Sequence, residues 1–309
     1  MSRLPQFTTG VSRRSFSRSL LCTMLLAAGM TGIASAQDSG AAAAGGPAAR
    51  VASRQPAPPP QAPFPPLSAE AEQQLHSVLA AWERNSSATK TLEAKFTRWH
   101  YDLNGVPAAN VHSERADGVL KYAKPDRGLF RVDRLVFFAG MEKDQPVYRE
   151  MPGQFGEHWV CTGKQLIEFD RSQKECKIRN LPPEMQGQQI IESPLPFVFN
   201  LDAAKIRERY WVRQVEAPEG VVLIEAWPKR QQDRSQYKLV QIALDASNYL
   251  PRGLRMYAPN FDPKQAPVWD HYEFAEVKQN SIGNKLADFM KNFIPEKPPA
   301  SWKISNEQM

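Results

Sequence analysis

The amino-acid sequence predicts an α+β fold with a large antiparallel sheet, of about 10 to 11 strands, that curls or closes around an apolar face. The first observation is that apolar residues alternate with a period of two in many short runs between Thr91 and Gln279. The second is that Gly, Pro, Asp or Ser bound these runs, as they bound strands. The third is that one clear helical pattern precedes them, without βαβ alternation or an internal repeat.

Residues 1–36 indicate an export signal peptide rather than a part of the fold. They carry four arginines and no acidic residue, then a weakly apolar run, and they end in small residues. The stretch SRRSFSR at 12–18 resembles the twin-arginine signature, so we expect twin-arginine export, with the general secretory route as the alternative. An uncleaved anchor is disfavoured because a spanning helix needs about 18 to 20 strongly apolar residues. We therefore expect a periplasmic or cell-envelope protein.

Residues 37–66 hold eight of the chain's 26 prolines and are rich in alanine. Their few apolar side chains cannot offset the entropy lost on ordering, so we expect a disordered linker. Loss of the four signal-peptide arginines leaves 35 basic residues against 33 acidic ones. This near balance argues against a nucleic-acid partner, which binds a basic patch.

The first element of the folded part is a helix that begins after Ser68, a candidate N-cap, and runs to about Arg84. Apolar residues recur there at i, i+3, i+4 and i+7, namely Leu75, Val78, Leu79 and Trp82. We expect this apolar stripe to be buried against the sheet.

The strand candidates follow in chain order, as short alternating runs separated by turn residues. They are residues 91–102, 115–123, 128–138, 157–162, 164–170, 174–181, 210–216, 221–229, 237–246, 252–259 and 268–279. Residues 139–156 are polar and are expected to form an inserted loop. Short helices are expected from Asp202 to Arg209 and from Leu286 to Phe293. The predicted domain therefore spans 67–294, and 295–309 is expected to be a flexible tail.

Sequence patterns of catalytic or metal sites are missing. The five histidines fall singly, and no HExxH, HxH, G-x-S-x-G or P-loop motif occurs. Asp270 and His271 are neighbours on an alternating strand, so their side chains point to opposite faces. The sequence therefore predicts a non-enzymatic protein without metal or cofactor, although a hydrolase site assembled from distant residues stays open.

Two cysteines, Cys161 and Cys176, remain after the signal peptide. An oxidising compartment permits a disulfide between them. In a meander they would lie two strands apart, at about 9 to 10 Å, which is more than a disulfide spans. The sequence therefore favours free thiols and leaves the bridge open.

Several motifs resemble the LolA-like periplasmic lipoprotein carrier superfamily. They are the Phe96-Thr97 step, DGVLKYAKPDRGLFRV at 117–132, WVCTGKQLIEFDRSQKECKIRNL at 159–181 and PLPFVFN at 194–200. The resemblance covers roughly 67–279 and extends to an exported planctomycete protein family with the same core. It implies an incomplete, strongly curved antiparallel barrel, with helices lying across its opening as a lid.

The resemblance also assigns a role to Lys124. This lysine stands before Pro125, where the superfamily usually has an arginine that holds the lid closed and takes part in cargo hand-off. Lysine lacks the planar fork with which arginine makes bidentate contacts. The resemblance therefore implies that Lys124 contacts the lid and takes part in hand-off, without the bidentate contacts of an arginine.

In a lidded half-barrel, large apolar side chains on the concave face either pack under the lid or line a cavity. Phe130, Val132, Val136 and Phe138 are expected to form one alternating set. Further strand candidates are Ile167, Phe169, Val222, Ile224, Val240 and Ile242, and Phe197 and Phe199 would supply the lid. The alternative for each residue is that it belongs to an ordinary core.

These observations favour an exported carrier that binds a lipid or an acylated protein in an apolar cavity. Burial of an aliphatic chain yields about 0.8 kcal/mol per CH₂, which gives affinity without directional contacts. An envelope sensor or adaptor that binds a protein partner through the same fold is the alternative, with a well-packed interior. A monomer with peripheral membrane contact suits both.

Overall fold

The computed structural model describes residues 61–103, 105–183, 202–281 and 283–308. The described helices are α1 (Ala69–Ser87), α2 (Ala203–Arg209), α3 (Gln231–Arg234) and α4 (Leu286–Met290), the last continued by a 3-10 turn at Lys291–Phe293. The strands are β1 (Thr91–Tyr101), β2 (Glu114–Ala123), β3 (Arg127–Glu142), β4 (Gln145–Arg149), β5 (His158–Thr162), β6 (Gln165–Asp170), β7 (Glu175–Asn180), β8 (Tyr210–Val215), β9 (Val221–Pro228), β10 (Leu239–Asp245), β11 (Pro251–Tyr257), β12 (Trp269–Gln279) and β13 (Lys303–Gln308).

The described strands form one 13-stranded sheet in the order β13-β7-β6-β5-β3-β2-β1-β12-β11-β10-β9-β8, with β4 paired to β3. Neighbouring strands are antiparallel except β13 and β7, which are parallel. The sheet is open because β8 and β13 are its two separate edges. The predicted α+β class with an open antiparallel sheet is therefore confirmed, with two strands more than expected.

The helix predicted after Ser68 is confirmed as α1. The Ser68 hydroxyl accepts a hydrogen bond from the backbone N–H of Ala71 at 3.2 Å, which caps the first turn. The predicted stripe of Leu75, Val78, Leu79 and Trp82 is buried. We call the side of the sheet that receives this stripe the α1 face. The expected helices near 202–209 and 286–293 are also present as α2 and α4.

The main hydrophobic core lies between α1 and the α1 face. Side chains from nine neighbouring strands, β5 through β8 in the sheet order, meet there in one cluster with the stripe of α1. A sheet this wide brings side chains from both halves to one helix by curling around it.

A second core lies on the opposite side of the sheet, which we call the α4 face. Phe289 of α4 and Phe293 of the 3-10 turn pack there against apolar residues of β2, β3, β5, β6 and β7. Their side chains are Ala123, Leu129, Val160, Ile167, Phe169 and Cys176. The C-terminal helix therefore covers one half of the α4 face.

Two expectations for loops are corrected. Residues 139–156 are not a simple insertion, because β3 runs to Glu142 and turns into β4 through Lys143 and Asp144, at φ of 50° and 61°. Both values belong to the left-handed region that tight hairpin turns use. Residues 303–308 are not a free tail, since they form β13, where Arg179 and Glu307 pair at 2.7 Å.

Cys161 and Cys176 are free, as the sequence favoured. Cys161 pairs with Gly128 on β3, whereas Cys176 belongs to the second core on the α4 face. They lie on β5 and β7, with β6 between them. Strand spacing and side-chain direction therefore both keep the thiols apart.

No helix within the described ranges is long and apolar enough to span a lipid bilayer. The predicted signal peptide at 1–36 and most of the linker at 37–66 lie outside the described residues. The described part of the linker, from Gln61, leads directly into α1.

Candidate functional site

The apolar part of the α1 face is built around Phe96. Its ring stacks on Phe130 with centroids 4.6 Å apart, and Phe130 continues to Trp159 at 5.6 Å. Gly118 lies opposite Phe96 in the sheet and leaves the space that the ring occupies. A Cβ atom at Gly118 would stand 2.6 Å from Phe96 Cζ and 2.2 Å from the Arg131 carbonyl oxygen.

Six of the predicted cavity residues lie on this face, and all of them are buried. They are Phe130, Val132, Val222, Ile224, Val240 and Ile242. The sheet register aligns them, since Ile224 pairs with Ile242, and Val222 lies two pairs further along, on the same face. Within the described ranges they therefore form a filled apolar surface under α1 rather than an open hollow.

The prediction that Val136 and Phe138 belong to the same set was wrong. Gly118 pairs with Val132, but Asp117 pairs with Arg134, so Asp133 is an extra residue on β3. Such a bulge shifts the alternation by one residue. Val136 therefore lies opposite Arg115, on the α4 face. Phe138 follows two residues later and contacts Tyr148 of β4, with ring centroids 6.1 Å apart.

Ile167 and Phe169 also lie on the α4 face, contrary to their placement in the cavity set. Ile167 pairs with Val160, and both pack with Phe289 and Phe293 in the second core. Ile167 and Phe169 thus pack against the C-terminal helix, whereas Leu166 of β6 packs against the main core. The predicted lid residues Phe197 and Phe199 lie outside the described residues.

Lys124 contacts the helix that covers the apolar face. Its side-chain amine donates to the carbonyl oxygen of Ser87, the last residue of α1, at 3.2 Å. A cation at a helix C-terminus interacts favourably with the helix dipole. Among the described residues this hydrogen bond joins Lys124 to α1, whereas the lid that Lys124 is predicted to contact lies outside the described residues.

Polar contacts at both ends hold α1 in place. Near its C-terminus, the Asn85 amide donates to the carbonyl oxygen of Asn248, and the Gln279 amide donates to Thr89 Oγ1 at 2.6 Å. Near its N-terminus, Glu72 pairs with Arg207 of α2 at 3.1 Å. Between these contacts the helix meets the sheet through apolar side chains.

A group of ionisable side chains, buried or half-buried, marks one end of the α1 face. Arg98 Nη1 donates to Glu157 at 2.6 Å, and Arg98 Nη2 donates to Glu114 at 2.7 Å. One step further along β1, His100 Nδ1 lies 2.8 Å from Asp270 Oδ1. The face therefore has a long apolar part and a short ionic end.

The groups around Arg98 favour its charged form. Burial lowers the pKa of Arg98, but the carboxylate of Glu157, Tyr272 and the carboxylate of Glu114 outweigh it, so that the pKa is raised well above its ordinary value. Burial raises the pKa of Tyr272. Both terminal nitrogens of Arg98 are bound by carboxylates, so the group stabilises the fold rather than offering a free anion site.

Sequence reasoning missed this group although a signal was present. Arg98 and His100 continue the same two-residue period as Leu92, Ala94 and Phe96 on β1. The predicted apolar set on this strand ended at Phe96 and included neither residue. The two-residue period of β1 places Arg98 and His100 on the α1 face, whereas their residue type does not indicate this position.

The His100 and Asp270 pair does not extend to a nucleophile at Ser113. The Ser113 hydroxyl donates to the backbone carbonyl of His100, at 3.2 Å, and not to its ring. In the described part of the chain, no group of three or more His, Cys, Asp or Glu side chains has an arrangement that could hold a metal ion.

No protein-family model matches the sequence, and no curated protein matches it. Solved structures with a similar arrangement include an uncharacterized conserved protein from Thermus thermophilus, with 9% identity over 76% of this chain and 100% of that chain, at a TM-score of 0.41. A LolA superfamily protein from Nitrosomonas europaea has 11% identity over 69% of this chain and 96% of that chain, at a TM-score of 0.31.

The Pseudomonas aeruginosa MucA/MucB complex is similar as well, with 13% identity over 69% of this chain and 58% of the matched chain, at a TM-score of 0.32. The matched structures thus include the superfamily that the sequence motifs resemble. At these identities and TM-scores we take neither a function nor a partner from them.

Proposed function

We propose that this protein is an exported, non-enzymatic carrier that binds the acyl chain of a lipid or of a lipidated protein against the α1 face. The observation that supports it best is that the apolar stripe of one helix, α1, covers apolar side chains of this face in the main core. The cover is attached by polar contacts at its ends, near Lys124 and Glu72. When α1 moves away, an acyl chain takes its place.

The energies of the two occupants are similar. The α1 stripe buries four large apolar side chains, worth together about 6 to 12 kcal/mol at about 1.5 to 3 kcal/mol each. A chain of about 16 carbons yields about 13 kcal/mol at about 0.8 kcal/mol per CH₂. An acyl chain therefore offsets the loss of the α1 contacts, while a short apolar molecule does not.

The test is mass spectrometry of the lipids that co-purify with protein exported by its own signal. We expect less than one acyl lipid per chain in wild type and a larger fraction in Lys124→Ala, which frees the C-terminal end of α1. The matched control is Lys164→Ala, an exposed lysine. Protein that carries no lipid, and takes up none when incubated with lipid vesicles, contradicts the proposal.

The packing of the α1 face favours a second candidate, an envelope adaptor that binds a protein partner. Phe130, Val132 and Ile242 are at most 2% exposed, so they need no ligand to be buried. An adaptor predicts a specific, lipid-free complex in affinity purification from envelope extracts. A carrier predicts that the same purification yields lipid or acylated polypeptide.

A further inference from the structure

The half of the α4 face that α4 does not cover carries a row of aromatic side chains across the strands. We call it the aromatic row and define it as Trp211, Trp227, Tyr257, Trp269 and Tyr101, on β8, β9, β11, β12 and β1. The sheet register sets them side by side, since Trp211 pairs with Trp227, Tyr257 with Trp269, and Trp269 with Tyr101. Leu239 of β10 fills the gap, opposite Tyr257.

Each of the five side chains in the aromatic row is partly exposed to solvent. Tyr101 and Trp269 stack with centroids 4.1 Å apart, and Tyr257 lies 6.0 Å from Trp269. Among the described helices, α1 and α2 join the main core, α3 contacts β9, and α4 covers the other half of the α4 face. Rows of Trp and Tyr on an accessible surface commonly bind another chain.

The chain itself arrives at one end of this row. The guanidinium of Arg213 lies over the ring of Phe64, 5.0 Å from its centroid. Arg213 is two residues after Trp211 on β8 and shares its face, whereas Leu67 packs against the main core on the other side. Between Phe64 and Leu67 the chain therefore crosses the β8 edge from the α4 face to the α1 face.

The segment that precedes Phe64 has the composition that aromatic grooves recognise. Residues 54–66, RQPAPPPQAPFPP, contain seven prolines. Proline-rich segments favour the polyproline II conformation, whose backbone carbonyls are free to accept hydrogen bonds. They dock on aromatic-lined surfaces at little cost in conformational entropy.

The lengths agree as well. From β8 to β1 the row crosses five strand spacings, or about 24 Å at about 4.8 Å each. Polyproline II advances about 3.1 Å per residue, so about eight residues span the row. Eight residues before Phe64 is Pro56, the first proline of PAPPPQAP. We propose that residues 56–63 of this chain dock along the aromatic row and fold the linker back onto the domain.

The test uses the exported chain and trypsin cleavage after Arg54, which lies just beyond the docked segment. Trypsin cuts after Arg54 only in molecules whose segment has left the aromatic row, so the cleavage rate follows the population of this open form. We therefore expect wild type to be cut about tenfold more slowly than an undocked variant. The triple substitution Pro58→Ser, Pro59→Ser and Pro60→Ser removes the polyproline II preference without touching the folded domain. Equal cleavage of wild type and the triple variant overturns the proposal.

A second set of variants tests the surface. Trp269→Ala is expected to raise cleavage after Arg54 as much as the triple variant does. Phe155→Ser removes an exposed aromatic side chain away from the row, so its cleavage rate should equal that of wild type. Equal effects of the two surface variants contradict docking on the row.

A synthetic peptide of residues 50–64 separates the possible occupants. It should bind the triple variant about tenfold or more tightly than wild type, whose own segment competes at high effective concentration. Protection of Arg54 that rises with protein concentration assigns the row to a second copy instead. Binding to anionic phosphatidylglycerol vesicles that requires Trp269, without protection of Arg54, would show that the aromatic row binds a lipid surface. Either result overturns the proposal.

Discussion

Val132 and Val136, four residues apart on β3, lie on opposite faces of the sheet. Four residues in a regular strand return a side chain to the same face, but the extra residue Asp133 shifts the alternation between them. Val132 consequently packs in the main core under α1, and Val136 lies beside Arg115. The apolar surface available to an acyl chain on the α1 face therefore includes Val132 but not Val136, and it is narrower than uninterrupted alternation along β3 indicates.

The close fit of Phe96 over Gly118 makes this glycine sensitive to substitution. Gly118→Ala places a Cβ atom within 2.6 Å of the Phe96 ring and 2.2 Å of a backbone oxygen. We expect a loss of about 3 kcal/mol in the free energy of unfolding, measured by urea denaturation, as for an overpacked core. Gly253→Ala is the control, because its nearest neighbour, the Tyr272 carbonyl oxygen, stands at 3.1 Å. Equal losses would show that the Phe96 ring does not lie over Gly118.

Arg98 should be far more costly to remove than an exposed arginine. Arg98→Met leaves Glu114 and Glu157 without their cation, so we expect a loss of about 3 to 5 kcal/mol in unfolding free energy. The double variant Arg98→Met, Glu114→Met should lose less than the sum of the single variants. Arg134→Met breaks an exposed pair with Glu150 and should cost at most about 1 kcal/mol. Additive losses at Arg98 and Glu114 would contradict their direct pairing.

His158 should make stability depend on pH. Burial, followed by Arg171 and Arg131, lowers its pKa to about 4. Its pKa in the unfolded chain is higher, about 6.5, so the unfolded state takes up the proton first. The contribution of His158 is fully present above pH 6.5 and is lost as the pH falls towards 4.

Between pH 7 and pH 5 the expected loss from His158 is about 2 kcal/mol of unfolding free energy. Urea denaturation at the two pH values measures it, and His158→Gln should remove this part of the pH dependence. His76→Gln, at an exposed position of α1, serves as the control. An unchanged pH dependence in His158→Gln would show that this ring is solvated.

The second core gives the C-terminal helix its attachment. Phe293 is 1% exposed and packs with Phe289 against the α4 face, whereas its neighbour Ile294 is 64% exposed. We expect Phe293→Ala to cost about 3 to 5 kcal/mol of unfolding free energy. Ile294→Ala should stay within about 0.5 kcal/mol of wild type. Similar small effects at both residues would show that the helix does not cover this face.

The sequence predicted those elements whose determinants lie within the element itself. The cap at Ser68 and the stripe from Leu75 to Trp82 act within one helix, so α1 follows from its own residues. Strand β13 is different, because KISNEQ has no apolar alternation and pairs in parallel with the distant β7. Its stability depends on partners such as Glu175, which pairs with Lys303 at 3.0 Å.

The candidate site was predicted in part for the same reason. Alternation placed Phe130, Ile224 and Ile242 on one face, because each strand's period is local. Alternation within one strand does not reveal which of its two sets of side chains lies on the same face of the sheet as the apolar set of another strand. The bulge at Asp133 depends on pairing with the neighbouring strand, so Val136 was assigned to the wrong face. The packing of Phe169 depends on α4, so Ile167 on the same strand was assigned to the wrong face as well.

Hydrogen exchange of the α1 amides tests the carrier proposal most directly. Exchange is followed by mass spectrometry with and without a saturating lysophospholipid that carries a 16-carbon chain. If the acyl chain replaces α1, peptides that cover Leu75 to Trp82 lose protection in proportion to the lipid bound, while β1 stays protected. Lipid that binds without any change in α1, or no saturable binding at all, contradicts the account.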